Sequence, residues 1–570
     1  MSVTRSGSLS RERVAELRAA ARDPRLRLAV ADRFTEQGDV RGEYGALGLL
    51  LAAQAPAARS PALERRREAL EEPAARRWFT EVHGALQRLR PLGAAWVSLR
   101  SDVPSLAAFE RGELREALPT FERDLPIDGL SIRGDLVELT LLRAAPLLAM
   151  LRSLEVGDPY TGVEPVDELV ELLALPQARG LERLDVRLSA APARLARAWA
   201  CADGLKSLGL TCAGSQNPFF VAELLGGQVF PALEELQLAM GRLSADALRR
   251  CAEATPGLRS LTLYGVELTG GPFSLPEGAW PRLEGLHLHV RNESVQPLVE
   301  HALRGAFPGL RQLTIAAQGT VDVTGLAALP LTELNLSSAE RARLPRLEGS
   351  VLGRTVETYR LPRAVDDGVI TELARSPLPA LTRLHAAAVP VERLQDAPWL
   401  GHLRELTLQG GPAAEPLLLG RAWPRMESLA LYARDGWSRP EAVASWLDAE
   451  RAPNLRSLSP VVPGALCVQA LLERRSAPWE DLDWAGPTRA ALRALAEAPM
   501  AESVRTLKLR AGEDLDAADV KALATGAGLL GLRVLRHSTP VQQRLIDRYW
   551  PRRLASRQLQ IPGDGSPGGS

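Results

Sequence analysis

Two histidines one residue apart, His287 and His289 in the stretch PRLEGLHLHV, are the residues whose type and spacing most invite a chemical reading. Imidazoles at i and i+2 share one face of an extended strand, where a third donor would complete a zinc site and a carboxylate would make a general base. Leu283, Leu286 and Leu288 point to the other face by the same alternation, so Gly285, His287 and His289 are expected to project outward. The matching positions before and after, Ser260, Thr262 and Tyr264 and then Gln312, Thr314 and Ala316, offer no good zinc ligand. The pair therefore reads as surface or partner-contacting residues, together with Tyr264, and no metal or cofactor is expected. No G-x-x-x-x-G-K, G-x-S-x-G, H-E-x-x-H or dinucleotide-type glycine fingerprint occurs. The expectation is a protein with no catalysis of its own.

The elements that must position these residues are announced by an internal period. The frame L-x-x-L-x-L recurs at Leu205, Leu233, Leu258, Leu283, Leu331 and Leu403, with looser copies starting at Leu181, Leu310, Val356, Leu381, Met426, Leu455, Trp479, Val504 and Leu532. These 15 copies are spaced 21 to 29 residues apart. The pattern resembles leucine-rich repeat proteins, whose repeats of this length carry one short strand each. The resemblance implies an α/β solenoid, a horseshoe with parallel strands on the concave face and short helices on the convex face.

Physical reasoning gives the same units. The last two leucines of each frame alternate as a strand requires, and the rest of the repeat must cross back. SADALRRCAEATPG places Leu248, Cys251 and Ala252 on one helical face behind a capping Ser244; ESVQPLVEHALRGAFPG does so with Leu298, Val299, Ala302 and Leu303. Prolines such as Pro231, Pro256, Pro281 and Pro308 end the crossover before the next strand. Phe230, Trp280, Phe307 and Trp423 just before four such prolines read as core wedges. Tyr359, Ala386, Pro460 and the tryptophans of WEDLDW stand where leucine is preferred, so irregularity is expected there.

Taken along the array, the central outward residues are small, polar and mixed in charge. His287, Arg360, His385, Asp483 and Lys508 are among them, with Tyr264 and Tyr432 close by, and these with His289 are the eight expected partner-binding residues of the concave face. A surface so extended suits a protein partner better than a small molecule.

Composition narrows the partner further. The 69 basic and 69 acidic residues balance, so neither nucleic acid nor an anionic membrane is an expected partner. Cys201, Cys212, Cys251 and Cys467 are too scattered for a disulfide framework, and the longest apolar run, Ala46 to Ala53, is far short of a membrane span. With no signal-peptide core at the start, a cytoplasmic monomer is expected.

The flanks differ from the array. Residues 1–92 read as a small helical domain, 93–150 as an N-terminal cap with two short strands in DGLSIRGDLVELTLL, 151–540 as the array, and 541–570 as a capping helix with Leu545, Ile546 and Trp550 followed by a flexible tail. Within the first, LRLAVADRFTEQGDVRGEY reads as a helical hairpin: Leu26, Leu28, Val30 and Phe34 line a helix, Gly38-Asp39 turns, and Tyr44 to Leu51 packs back. The stretch resembles the repeat-companion domain found ahead of leucine-rich arrays in myxobacteria and planctomycetes, matching at Leu26, Leu28, Val30, Ala31, Asp32, Glu36, Gly38, Asp39, Arg41, Gly42 and Glu43. Asp32, Asp39, Arg41 and Glu43 are weighed as caps and internal pairs rather than contacts.

One motif supports a rival. Cys201-Ala202-Asp203 resembles the C-x-D of bacterial leucine-rich repeat ubiquitin ligases, which implies an effector enzyme; a GTPase-regulating role is the other form of that reading. In that ligase family, however, the motif belongs to a helical domain after the repeats. Here it precedes a repeat strand, so Cys201 is expected in the core.

Overall fold

The computed structural model describes residues 24–54, 94–98, 105–109, 116–120, 128–132, 139–157, 166–188, 199–212, 227–240, 242–269, 275–290, 292–317, 320–386, 394–410, 422–433, 452–461, 480–485, 488–497, 506–510 and 534–537, with scattered positions between and beyond them. The chain is mixed α/β and built on long ladders of parallel strands. It divides into two compact units, one of residues 1–275, 279–282 and 555–570, the other of 276–278 and 283–554.

The first unit opens with two helices, α1 (Pro24–Glu36) and α2 (Val40–Ala52). Gly38 turns the chain between them at φ +67°, a conformation that costs glycine no steric strain. Asp39 then caps α2 by accepting from the Arg41 backbone N–H at 3.0 Å. Ala31, Phe34, Tyr44 and Leu51 are buried in the hairpin. Leu26 and Leu28, read as apolar positions of the first helix, are each 45% exposed. Positions i and i+2 diverge by about 200° on a helix, so they cannot share a buried stripe with Ala31 and Phe34.

Strands β1 (Ala94–Ser98) and β2 (Ser105–Phe109) pair antiparallel. From β2 the ladder is parallel through β3 (Gly129–Ile132), β4 (Ser153–Val156), β5 (Arg183–Leu188), β6 (Ser207–Cys212), β7 (Glu235–Met240) and, after β8 (Arg242–Ser244), β9 (Ser260–Tyr264). A second small ladder joins β8 to β10 (Glu267–Thr269). Parallel pairing thus begins upstream of the regular frames, inside the segment expected to cap them. Of the two strands expected there, the first is present; residues 133–138, where the second would begin, lie outside the described residues, and Leu139–Ala144 is helical, with Leu139 and Leu142 three residues apart and both fully buried. Leu559 and Gln560, where a terminal helix was expected to end, pair antiparallel with Val97 and Trp96. The rest of that segment, with Leu545, Ile546 and Trp550, and the glycine-rich tail lie outside the described residues.

The second unit carries a longer parallel ladder. Its strands run β11 (Gly285–His289), β12 (Gln312–Ala316), β14 (Glu333–Asn335), β16 (Thr358–Arg360), β17 (Arg383–Ala386), β18 (Glu405–Gly410), β19 (Ser428–Ala433), β20 (Ser457–Val461), β21 (Asp481–Ala485), β22 (Thr506–Arg510) and β23 (Val534–His537). A separate pair, β13 (Thr320–Asp322) and β15 (Arg341–Arg343), lies off this ladder. Register shifts between Leu458 and Val461, where Pro460 has no N–H to give the ladder.

Register is set by a repeated device. The carbonyl just ahead of one strand accepts two N–H groups from the start of the next: Glu182 O takes Lys206 N at 2.8 Å and Ser207 N at 3.0 Å, and Arg404 O takes Glu427 N at 2.7 Å and Ser428 N at 2.9 Å. Glu284, Arg311, Thr332, Glu357, Thr382, Glu427 and Arg456 repeat it in the second unit. Side chains at these positions alternate in sign over much of their length, and Glu182–Lys206 at 3.0 Å, Arg404–Glu427 at 3.6 Å and Arg456–Glu480 at 3.3 Å join neighbouring rungs. Exposed pairs of this kind are worth about 0.2–1 kcal/mol each, so they favour correct stacking without dominating stability.

Leucines dominate it. In the second unit Leu286, Leu313, Leu334, Leu384, Leu406, Leu429, Leu458, Leu482 and Leu507 form one buried column, with Tyr359 taking the leucine place in β16. Each such side chain contributes about 1.5–3 kcal/mol on burial. Phe230, Trp280, Phe307 and Trp423 are buried as expected, and the Trp280 indole N–H donates to Thr255 Oγ1 at 3.0 Å. Crossovers are varied: Ala245–Ala254 is an α-helix capped by Ser244, whereas Pro176–Gly180, Thr324–Ala328 and Pro398–His402 are single 3-10 turns. In the helix Asn292–Leu303, Leu298, Val299 and Ala302 are buried, but Leu303 is 38% exposed and not part of the inner face as expected. It leans over Gly325, where a Cβ would come within 2.5 Å of its Cδ1.

Candidate functional site

The same alternation that buries the leucines presents the residue between them on the opposite face. In the second unit that column is His287, Thr314, Asn335, Arg360, His385, Thr407, Ala430 and Ser459, aligned in register from β11 to β20, and, past the register shift between Leu458 and Val461, Asp483 and Lys508. All are half-buried or exposed except Asp483.

His287 is half-buried and its Nδ1 lies 3.1 Å from Thr314 Oγ1. Burial holds the ring below the usual histidine range; Glu333 opposes this and His289 adds to it. His287 is therefore a neutral imidazole in a hydrogen bond at pH 7. His289 shares its face and is half-buried. Among the described residues no three His, Cys, Asp or Glu side chains are grouped as a metal would require.

Further along, Arg360 is exposed and His385 half-buried, and they are register partners on β16 and β17. Burial, and then Arg360, hold His385 below the usual histidine range. Asp483, expected at the partner surface, is only 6% exposed: its carboxylate accepts from Ser459 Oγ at 3.0 Å on the neighbouring strand. It braces β20 against β21 across the irregular register left by Pro460. Lys508 beside it is exposed. Tyr432 aligns with Gln409, its side chain lying outside the described set.

Tyr264 belongs to the first unit, at the end of β9, and is 58% exposed. The corresponding central column of that unit runs Ser131, Glu155, Asp185, Gly209, Gln237 and Thr262. Ser131 and Glu155 are buried, and Arg187 reaches Glu155 at 3.3 Å. Gly209 leaves room for Asp185, whose carboxylate would lie 3.1 to 3.3 Å from a Cβ there. Ser131 and Glu155 were not expected; the signal that could have found them is the alternation Leu130-x-Ile132 and Leu154-x-Val156.

No protein-family model matches the chain, and no curated protein matches it. The geometry must carry the reading alone.

Cys201 is fully buried and its thiol is pushed up to about 11 by burial, while Asp203 two residues on is exposed. A protonated thiol in the core is not poised for nucleophilic attack. Cys251 is likewise buried and pushed up to about 12.

The helical hairpin motif is used internally. Arg41, 3% exposed, stacks 4.4 Å over the Phe34 ring and forks onto Asp39 with Nε at 3.0 Å and Nη2 at 2.6 Å. Burial acts to raise Asp39, but the Arg41 side-chain and backbone hydrogen bonds outweigh it and hold the carboxyl below its ordinary range. Glu43 takes Arg66 at 2.6 and 2.8 Å, and Arg67 lies 5.0 Å over Tyr44. Asp32 stands exposed on α1.

Proposed function

We propose that the chain is a bacterial leucine-rich repeat protein with a companion-type helical hairpin, acting in the cytoplasm as a non-catalytic scaffold that binds another protein through the polar face of its strand ladder. The observation that carries this is the division of the rungs whose side chains are described. A column of leucines, with Tyr359 in β16, is buried, while the column facing away is mostly polar and half-open and, over its ten rungs in the second unit, about 45 Å long at ~4.8 Å per strand. A run of short polar side chains on a stiff backbone suits side-chain-by-side-chain recognition of a macromolecule. The buried Cys201 weighs against the ubiquitin-ligase rival.

The test is affinity capture from the native host's lysate with the intact chain and with a Tyr264→Ala/His287→Ala/His289→Ala variant whose fold is checked by circular dichroism. A defined partner held by the first and lost by the second supports the reading. Metal- or nucleotide-dependent turnover by the purified chain, abolished by one substitution on this face, contradicts it.

A further inference from the structure

Charged residues on the ladders generally have counter-ions. Arg383 pairs with Glu405 at 3.1 Å, Arg187 with Glu155 at 3.3 Å and Arg183 with Glu235 at 3.8 Å. Arg360, like Lys508 further along, has none: it is exposed in the middle of the second unit's polar face and, among the described residues, makes neither a hydrogen bond nor an ion pair. Its register neighbour on one side is His385, on the other Asn335. Asn335 uses its Oδ1 twice, accepting Ser337 N at 3.1 Å and Ser337 Oγ at 2.8 Å, which leaves its amide N–H groups as the open function. His385 has Nδ1 buried without a partner, so Nε2 is the nitrogen left for a ligand. Thr407 follows on the next rung.

Three successive rungs thus present donors and no acceptor anion in the central column. The nearby carboxylates are spoken for or displaced: Glu405 is held by Arg383, and Glu333 sits two residues before Asn335, at the side where the strands begin. An incoming anion is steered to the opposite side, where the strands end.

Resting on the binding reading above, we propose that Asn335, Arg360 and His385 anchor the partner, and that the group they take is a carboxylate side chain from an acidic protein segment. Electrostatic complementarity selects it: a guanidinium already beside an imidazole repels protonation of that ring, and a carboxylate received between them removes the repulsion. The planar fork of Arg360 suits bidentate capture of such a group.

The probe is a fluorescein-labelled octaglutamate peptide, titrated by anisotropy into the full chain at low salt, with octalysine as the control. The wild type is expected to bind octaglutamate and not octalysine; Arg360→Glu is expected to weaken binding by about tenfold or more, and Arg250→Ala, on a crossover helix away from this face, by less than about twofold. Arg360 makes no described contact that folding needs, so both variants are expected to keep the native circular dichroism. Histidine-selective NMR is expected to show the His385 ring shifting on peptide addition and titrating at higher pH in the complex. Equal affinities for wild type and Arg360→Glu, an unmoved His385 signal, no octaglutamate binding by the wild type, or preference for a phosphoserine peptide over octaglutamate each overturn the anchor. A cognate partner that still requires Thr314 and Thr407 while ignoring Arg360 would sink the anchor and leave the broader reading standing.

Discussion

A methyl group at Gly42 would lie 2.3 Å from the backbone nitrogen of Thr35 and 2.4 Å from the carbonyl oxygen of Ala31, closer than real Cβ contacts come. Because backbone cannot swing aside, Gly42→Ala is expected to cost about 1–3 kcal/mol in the hairpin, whereas Gly48→Ala, facing only the Arg67 side chain at 3.5 Å, is expected to be tolerated. Thermal unfolding of the two variants compares them directly. The histidines give a pH signature. His287 and His385 are both depressed by burial, so the unfolded chain binds more protons than the native one just below pH 6.5, and their stability contribution, complete above that value, is lost as pH falls. Urea midpoints are expected to drop from pH 7.5 to 5.5, and to drop less in a His287→Asn/His385→Asn double variant; parallel curves would reject the assignment. Cys201 and Cys251, neutral and buried, are expected to resist a thiol reagent at pH 7 until denaturant is added. At this scale the sequence was readable where a residue type has one use, as with Gly38 in the turn or Asp39 at the cap. It misled at Asp483, because a bond to Ser459 across strands is invisible in one strand's alternation.

Within a single rung, two neighbours on one strand have opposite roles. Leu406→Ala removes a buried side chain from the leucine column and is expected to cost about 2–5 kcal/mol, while Thr407→Ala on the open face is expected to stay within about 0.5 kcal/mol. Chemical denaturation of the pair measures the contrast, and equal losses would mean that β18 is not two-faced. Loss of the Ser244 cap, which accepts from Ala247 N at 3.0 Å, is expected to cost about 1 kcal/mol. Strands were legible because period-2 alternation and proline spacing both point to them. The crossovers were only partly so: a segment such as TGLAA at Thr324–Ala328 is too short for helical periodicity to separate a 3-10 turn from a loop. Leu139–Ala144 shows the opposite failure, since a brief leucine-rich run fits a strand or a helix equally well.

Across the whole molecule, two compact units each repeat the same strand-and-crossover logic, which the leucine frames from Leu181 onward make legible in the sequence. The rung at β3 was read as a cap strand rather than part of the ladder, and the one at β4 was not counted although Leu151, Leu154 and Val156 match the looser frame of Leu181, Leu184 and Val186. The candidate face was legible as a column, but its unequal parts were not: that Arg360 stands unpaired while Arg383 is neutralised depends on which side chains meet across strands 22 residues apart. The most direct test of the central claim is photo-crosslinking in the native host from a benzoylphenylalanine placed at Thr314 or Thr407 on the polar face, against one placed at Arg250 on a crossover helix. The same protein adduct is expected from both face positions and none from Arg250. Adducts from Arg250 alone, or no adduct from either face position, would contradict it.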